Sequence, residues 1–354
     1  MAGLLKRAGD ATNAEAARWI AGMEPAHRRI VGYQLGLWDA RERPGGTAGK
    51  AVRAALTLTC ARAAGGEPGA ALRGAVAVEL LHNLSLLYDD AMDRDAVRRA
   101  RPAAWRVFGR QATEQAADAL LPLAVARLFD PPAEPETAGV AASALGEAVV
   151  RLVQGQALDL GFERRREVGV EECRWMLSGK TASLMACACR LGAVFAGAGP
   201  ELTAGFTRLG EDLGMVFQLR DDVLGIWGDP SVTGKPGGSD LTARKKSFPV
   251  VAALSAGTPD AHRLADAYAT TPAPTRGPGP GHGPSGVERP TELAELRELI
   301  ERLGGRERTV AESQAHLVNA HRFLDGLRAT GDGRVVAGAD DLAALGDFFA
   351  TRPR

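Results

Sequence analysis

Apolar residues recur at helical spacing along almost the whole chain of 354 residues. Strand-like alternation is nearly absent, and a composition rich in alanine and leucine, with only 5% aromatic residues, favours helices over sheets. The sequence therefore predicts an all-α fold of about ten or more helices. The clearest helical stretches are residues 50–64, 70–93, 112–129, 139–162, 170–196, 200–227, 246–256 and 291–327.

Proline and glycine dominate residues 271–290, so this segment cannot contribute to a packed core. We interpret it as a flexible loop between two helices. A domain boundary is the alternative interpretation, but the helices that follow are too few to form a domain alone. We therefore expect a single domain over residues 1–354.

The charge balance and the cysteines restrict the classes of function. Lysine plus arginine equals aspartate plus glutamate at 43 each, so no overall field attracts nucleic acid. Cys60, Cys173, Cys187 and Cys189 lack metal-binding spacing and are typical of core residues in a reducing compartment. The first residues do not resemble a signal peptide, and no charge-free run of about 18 apolar residues occurs. We expect a cytoplasmic protein without a transmembrane segment or a nucleic-acid partner.

Two aspartate clusters, Asp89-Asp90 with Asp93 and Asp221-Asp222, each follow an apolar run with helical periodicity. Solvated helix faces are the alternative, but the apolar runs argue that the carboxylates lie at the edge of a core. Like charges grouped in this way repel each other unless a cation joins them. Mg²⁺ is a hard cation that favours carboxylates together with substrate phosphates. The clusters therefore indicate diphosphate chemistry.

Basic and polar side chains accompany both aspartate clusters. Arginine is suited to this chemistry because its fork-shaped guanidinium matches two phosphate oxygens. A further segment, Gln154-Gly155-Gln156, places Gln156 and Asp159 on one helix face. The candidate residues near the clusters are Lys50, Arg53, His82, Arg98, Arg99, Lys180, Thr181, Gln218, Lys235 and Lys245.

In this order and spacing, the segments resemble the trans-isoprenyl diphosphate synthases, also called the polyprenyl synthetase family. The resemblance extends from about Gly45 to the carboxyl terminus. It implies a single-domain isoprenoid synthase type I bundle, with helices around a central cavity and the two aspartate motifs facing each other across its mouth. It also implies a homodimer that acts on isoprenyl diphosphates.

The resemblance further implies a role for each candidate. Three Mg²⁺ ions per site would be held by Asp89, Asp90, Asp93, Asp221 and Asp222. Isopentenyl diphosphate would be bound by Lys50, Arg53, His82 and Arg99. The allylic diphosphate would be held by Arg98 together with Lys180, Lys235 and Lys245. The region where the carbocation forms would be lined by Thr181 and Gln218, so that Lys180, Thr181, Gln218 and Lys235 carry catalysis.

The implied reaction is head-to-tail condensation of isopentenyl diphosphate with an allylic diphosphate. Leu84 and Ser85, about one turn before Asp89, leave room for a growing chain, which favours geranylgeranyl diphosphate (C20) as product. The chain departs from the family pattern at Tyr88, where histidine is usual, and at Ala51, where arginine is usual. It also departs at Gly225, where the second motif usually ends in aspartate, and Asp229 is a candidate replacement.

Three alternatives use related chemistry or a related fold. A terpene cyclase would not need an isopentenyl pocket or the second aspartate motif. A non-catalytic partner subunit of a prenyl synthase would be expected to lose the first aspartates. A head-to-head condensing enzyme typically keeps a fuller second aspartate set.

Overall fold

The computed structural model describes residues 1–131, 133–229, 238–270 and 290–352. These residues form two compact units. Unit 1 comprises Met1–Val149, Leu184–Gly210 and Leu324–Leu342, and unit 2 comprises Val150–Ser183, Glu211–Phe323 and Ala343–Arg354. The predicted loop at 271–290 lies outside the described residues, except that Pro290 begins a helix. That residues 1–354 are a single domain stays a prediction.

The first part of the chain is helical apart from one short hairpin. Its helices are α1 (Ala2–Ile20), α2 (Pro25–Leu35), α3 (Val52–Ala63), α4 (Leu72–Asp93), α5 (Ala104–Phe108), α6 (Arg110–Asp118) and α7 (Leu120–Leu128). A 3₁₀ turn at Pro68–Ala71 precedes α4. Two-residue strands, β1 (Val97–Arg98) and β2 (Arg101–Pro102), pair antiparallel after it.

The rest of the described chain is helical as well, which confirms the predicted all-α fold. Its helices are α8 (Pro135–Arg164), α9 (Val170–Leu177), α10 (Ser183–Phe195), α11 (Pro200–Trp227), α12 (Ser239–Thr242), α13 (Phe248–Leu254), α14 (Pro259–Thr270), α15 (Pro290–Arg302), α16 (Gly305–Arg328) and α17 (Gly333–Thr351). One turn of π-helix, Ser178–Ala182, joins α9 to α10.

Helix α4 is the central helix of unit 1. It packs against α1, α3, α6 and α7, and its residues Ala75–Val78 are fully buried. Such an apolar helix satisfies its backbone polar groups internally, so it can be surrounded by other helices. The apolar run ends at the first aspartate cluster, which therefore lies where α4 leaves the core.

The same helix passes a simple test for a membrane span. Within the described ranges, only Pro68–Asp93 is long and apolar enough to cross a bilayer, and more than half of its most apolar window is buried in the fold. A buried core helix of a water-soluble protein meets the same criteria. In the described structure, α4 is packed against α1, α3, α6 and α7.

Unit 2 has its own core beside the second aspartate cluster. Phe162, Met176, Leu219 and Phe248 belong to one buried group contributed by α8, α9, α11 and α13. Because Leu219 lies on α11 just before Asp221-Asp222, the second cluster also begins at the edge of a core.

The structure differs from the predicted helical stretches at several breaks. The stretch 291–327 is two helices, because Gly304 adopts a left-handed conformation with a φ of 74°. The stretch 112–129 divides into α6 and α7 at Ala119. Helices α1 and α2 were not among the predicted stretches. The buried residues of α1 include Ala8, Thr12 and Ala16, whose small side chains give a weak apolar signal.

Close helix packing explains how the fold manages with few aromatic residues. At Gly192 in α10, an added Cβ would lie 2.7 Å from Cys60 Cβ on α3 and close to the carbonyl oxygen of Thr57. The two helices therefore touch through their backbones. Small side chains make this spacing possible, and a larger one would force the helices apart.

We expect Gly192→Ala to lower the free energy of unfolding by about 1–3 kcal/mol, because the methyl group overpacks the α3–α10 contact. Gly139→Ala in α8 is the matched control, because a Cβ there meets nothing within 4 Å. The control should be neutral or stabilising by up to about 1 kcal/mol. Urea denaturation measures both, and equal stabilities of the two variants would contradict the packing argument.

Candidate functional site

The first aspartate cluster occupies the carboxyl end of α4. Asp89 and Asp93 are one turn apart on the same face, and Arg94 ends the helix in a left-handed conformation with a φ of 54°. The negative end of the helix dipole adds to the repulsion among these carboxylates. The position is therefore favourable only where cations are supplied.

Arg98 supplies one such cation within the structure. Its Nε donates to Asp90 Oδ1 at 2.9 Å, its Nη2 also contacts Asp90, and Asp90 is only 1% exposed. Burial raises the pKa of the Asp90 carboxyl, although Arg98 acts in the opposite direction. Asp90 therefore holds Arg98 in place, while Asp89 and Asp93 are partly exposed. Direct coordination of a metal by these three residues stays a prediction.

Most of the residues predicted to bind isopentenyl diphosphate come together in unit 1. Arg53 lies in the first turn of α3, His82 on α4, and Arg99 in the turn between β1 and β2. Burial, followed by the charges of Arg53, Arg99 and Arg98, lowers the pKa of His82 well below its usual value. His82 is therefore neutral at pH 7 and does not add to the charge. Lys50 is exposed just before α3.

The backbone is strained where Arg99 is presented. Arg99 and Ala100 have φ values of 53° and 58°, in the left-handed region that non-glycine residues seldom adopt. Arg99 Nη1 donates to the carbonyl oxygen of Gln34 at 3.0 Å. A Cβ on Gly49 would lie 2.7 Å from Arg99 Nη2, so glycine at this position allows the guanidinium to approach.

Tyr88, which replaces the usual histidine, connects α4 to α6. Its hydroxyl donates to Asp118 Oδ1. Burial, followed by the Asp118 hydrogen bond, raises the pKa of Tyr88 to about 12. The phenol therefore stays protonated and acts as a link between helices rather than as a base.

In unit 2, Thr181, Gln218 and Asp222 form a chain of hydrogen bonds. Thr181 Oγ1 donates to Gln218 Oε1 at 2.7 Å, and Gln218 Nε2 donates to Asp222 Oδ1 at 2.8 Å. The backbone N–H of Phe248 donates to Asp222 Oδ2 at 3.0 Å. Burial raises the pKa of Asp222 to about 6 in spite of these donors and Lys245. Asp222 thus orients Gln218, and its predicted role as a metal ligand stays a prediction.

Asp221 has a partner that the sequence did not reveal. Arg352 Nη2 donates to Asp221 Oδ1 at 2.6 Å and to the carbonyl oxygen of Phe217 at 3.2 Å. The guanidinium carbon lies 3.6 Å from the centre of the Phe217 ring. Arg352 is 5% exposed, so this is a buried cation beside the predicted metal ligand. No sequence pattern near residue 352 indicated this contact.

The predicted lysines of unit 2 are held by carboxylates. Lys180 Nζ donates to Asp159 Oδ2 at 2.6 Å. Burial lowers the pKa of Lys245, but four carboxylates outweigh it and the net effect is a raised pKa; they are Asp159, Asp240, Asp222 and Asp221. Both lysines therefore face carboxylates in the ligand-free structure, and their role in holding the allylic diphosphate stays a prediction. Lys235 lies outside the described residues.

The π-turn that carries Lys180 and Thr181 packs directly on the backbone of α8. A Cβ on Gly155 would lie 2.7 Å from the carbonyl carbon of Gly179, and one on Gly179 would lie 2.7 Å from the carbonyl oxygen of Arg151. The two glycines therefore let the backbones of α8 and the π-turn touch. This explains the glycine in the Gln154-Gly155-Gln156 segment.

A carboxylate lies beside residue 225, where the second motif of the family usually ends in aspartate. A Cβ on Gly225 would lie 2.7 Å from Asp240 Oδ1. That Asp229 replaces the missing aspartate stays a prediction, and Asp240 is a second carboxylate beside Gly225. Local sequence patterns could not indicate this contact, because Asp240 lies 15 residues further along the chain, beyond residues 230–237, which are outside the described ranges.

The available donors suit a hard cation, although they do not form a closed cage. Asp89, Asp93 and Asp221 offer carboxylate oxygens, the ligands that Mg²⁺ prefers. Across the part of the chain that the structure describes, no group of three or more histidine, cysteine, aspartate or glutamate side chains is close enough to bind a metal by itself. Mg²⁺ keeps several waters and is bound through a few carboxylates plus substrate phosphates, and its binding by these residues stays a prediction.

The raised pKa of Asp222 predicts that the stability of the protein depends on pH. Its pKa of about 6 in the folded protein is above its value in the unfolded chain, so the folded state binds the proton more tightly. The resulting stabilisation is complete at low pH and is lost as the pH rises through about 6. We expect wild type to lose about 1 kcal/mol relative to Asp222→Asn between pH 5 and 7.5 in EDTA.

Thermal melting across this pH range measures the difference. Asp10→Asn is the control, because Asp10 is exposed on α1 and pairs only with Lys6 in the described structure. Parallel pH profiles for wild type and Asp222→Asn would contradict the assignment.

Comparison with known proteins gives one consistent family. The model of the family described as polyprenyl synthetase matches residues 44–276. The chain is 42% identical over 296 residues to a (2E,6E)-farnesyl diphosphate synthase of Mycobacterium tuberculosis, covering 83% of this chain and 79% of the relative. It is also 42% identical over 280 residues to a geranylgeranyl diphosphate synthase of the same species, covering 79% and 77%.

A solved structure shows the same fold. The polyprenyl synthetase from Streptomyces coelicolor A3(2) superposes with a TM-score of 0.87 at 37% identity, covering 99% of both chains. The family match spans well over half of the chain, and the relatives are named as prenyl diphosphate synthases. The protein therefore belongs to the polyprenyl synthetase family of prenyltransferases.

Proposed function

We propose that the protein catalyses the Mg²⁺-dependent head-to-tail condensation of isopentenyl diphosphate with an allylic diphosphate, giving mainly geranylgeranyl diphosphate. The observation that carries the proposal is the acidic end of α4, with Arg98 and Arg99 beside it. A diphosphate bound together with Mg²⁺ would neutralise both groups, because the cation would pair with the carboxylates and the phosphate oxygens with the arginines. The family supplies the substrate class, since its members act on isoprenyl diphosphates.

The charged residues have distinct roles in the proposed reaction. Asp89, Asp93 and Asp221 would hold Mg²⁺, which when bound stabilises negative charge on the departing diphosphate. Arg98, fixed by Asp90, and Lys180, fixed by Asp159, bind phosphate oxygens without having to reorganise.

The uncharged groups suit an electron-deficient intermediate. Thr181 donates its proton to Gln218, so its oxygen lone pairs remain available to face positive charge. The cysteines are poorly placed to act as nucleophiles, because all four are buried and burial raises the pKa of the Cys173 and Cys187 thiols. The chain therefore supports ionisation and attack by a double bond rather than a covalent enzyme intermediate.

The proposed chain length rests on the side chains before the first aspartate cluster. Leu84 and Ser85 lie on α4, five and four residues before Asp89, and neither is aromatic. A chain growing along this face meets no bulky ring there, which favours C20 over C15. Similar identity to a farnesyl and a geranylgeranyl synthase leaves both lengths as outcomes of the experiment.

The experiment is incubation with isopentenyl diphosphate, Mg²⁺ and C5, C10 or C15 allylic diphosphates, with product length read by mass spectrometry. We expect C20 from all three primers. A dominant C15 product would overturn the chain length alone. Release of a hydrocarbon without elongation would indicate a cyclase, and no turnover with any primer would indicate a non-catalytic partner subunit.

Asp89→Asn should reduce turnover by at least about 100-fold, because it removes a charged ligand for Mg²⁺. Asp10→Asn, an exposed aspartate on α1, is the matched control and should keep wild-type activity. Circular dichroism and thermal melting establish that both variants are folded. Substantial activity of the folded Asp89→Asn variant would contradict the metal assignment.

The proposal includes a homodimer, supported by an exposed apolar strip on α8. Val150 and Val153 are 56% and 58% exposed. One turn earlier, a Cβ added at Gly146 would have no neighbouring atom within 4 Å. Exposed apolar area on a long helix is expected where a second copy covers it.

Light scattering should give about twice the 37.1 kDa monomer mass for wild type. The Val150→Asp/Val153→Asp double variant should be monomeric, because it places charges in the interface. Val318→Asp, at another exposed valine on α16, is the control and should remain dimeric. A monomeric wild type would refute the dimer.

The proposal also places the protein in the cytoplasm. All four cysteines are buried free thiols. Free thiols are typical of proteins in a reducing compartment, where cysteines are kept from forming disulfides.

A further inference from the structure

Glu79 is an acidic residue close to Arg53 and Arg99, two of the residues predicted to form the isopentenyl diphosphate pocket of unit 1. It lies on α4, three residues before His82. It lines a small cavity, partly open to solvent, together with Gly49, Asn83 and Arg99. The roles proposed above for this pocket do not use Glu79.

The Glu79 carboxylate is fixed in position. Its Oε1 accepts from the backbone N–H of Ala54 at 3.1 Å, in the first turn of α3. Arg53, the residue before Ala54, is only 8% exposed, and its Nε has no hydrogen-bond partner among the described residues. The bond to Ala54 therefore keeps the carboxylate beside the base of the Arg53 side chain.

Neighbouring arginines destabilise the charged forms of Arg53 and Arg99. Burial lowers the pKa of both guanidinium groups, and Glu79 is the leading charge that opposes this. Arg99 lowers the pKa of Arg53, while Arg98 and Arg101 lower the pKa of Arg99. Glycine at residue 49 leaves room for the Arg99 guanidinium, whose Nη2 lies 2.7 Å from where a Cβ would stand. A cationic pocket that awaits an anion needs a counter-charge while it is empty.

We propose that Glu79 is the internal counter-anion of this pocket, offsetting the repulsion between Arg53 and Arg99 until a diphosphate replaces it. The inference rests on the proposed function, because it takes the pocket's ligand to be a diphosphate. Glu79 is a positioning residue that favours the ligand-free protein and opposes anion binding. Its charge thereby weakens the hold on diphosphate and assists release.

Glu79→Gln tests this directly, because glutamine keeps an oxygen that accepts from Ala54 N–H and removes only the charge. We expect a lower melting temperature without ligand. We also expect inorganic pyrophosphate to bind about five-fold more tightly, or better, by calorimetry in EDTA. EDTA keeps the aspartate clusters free of metal, so the measurement reports the basic residues.

A purely structural role would give the opposite pattern. Loss of packing or of the Ala54 contact would lower stability and weaken pyrophosphate binding together. Unchanged or weaker affinity in Glu79→Gln would overturn the proposal. Glu79→Asp, which keeps the charge, should retain an affinity close to wild type, and a tightening equal to that of Glu79→Gln would also overturn it.

Arg53→Met provides the second arm. Glu79→Gln should lose its effect on affinity in this background, and the double variant should melt higher than Glu79→Gln alone. If Glu79→Gln does not fold, a folded double variant supports charge repulsion, and an equally unstable one overturns it. Glu147→Gln is the matched control, because Glu147 pairs with Arg190 at 2.6 Å in the same unit away from the cavity.

The outcome is separable from that of the proposed reaction. Melting and pyrophosphate affinity do not require turnover, so they test Glu79 even if the condensation assay gives no product. Conversely, wild type can condense isopentenyl diphosphate even if the Glu79→Gln variant binds pyrophosphate no more tightly than wild type does. Each result therefore bears on one claim.

Discussion

Like-charge repulsion is the constraint on which the functional parts of this protein depend. Three carboxylates gather at the end of α4, where the helix dipole is itself negative. Arginines gather near the start of α3 and in the hairpin after α4. Neither arrangement is stable alone, because charges removed from water are costly unless they are paired. The sites can exist only because each has counter-charges of its own.

Those counter-charges are side chains of the same chain. Arg98 holds Asp90, Arg352 holds Asp221, and Lys180 holds Asp159. Each pair keeps a group in a fixed position, so that bound ligand meets an arrangement already in place. In the role proposed for it, Glu79 is the negative counter-charge of Arg53 and Arg99. The affinity for a ligand then depends on how much more favourably these groups interact with the ligand than with their internal counter-charges.

Much of the fold and part of the site could be predicted from sequence, for identifiable reasons. Helical periodicity and the apolar runs before Asp89 and Asp221 are local signals, so the all-α class and the helices carrying the aspartates followed from them. The family resemblance, now confirmed, brought Arg53, His82 and Arg99 into one group. The structure places these three together in unit 1.

The contacts that sequence reasoning missed join residues far apart in the chain. Arg352 reaches Asp221 from 131 residues away, and Tyr88 reaches Asp118 from the next helix but one. Asp240 stands beside Gly225. No periodicity or local motif encodes such pairings, because they depend on how helices pack. Helix α1 was missed for another reason, since alanine and threonine give little apolar contrast.

The π-turn at Ser178–Ala182 has a consequence for how this enzyme can change during evolution. It accommodates more residues per turn than the α-helices on either side. Deleting one residue there would convert the turn to α-helix and rotate the following segment by about 100° relative to the preceding one. Lys180 and Thr181 would then leave the positions that Gly155 and Gly179 define. Single-residue insertions and deletions should therefore be excluded from this stretch, while the exposed loops remain free to vary in length.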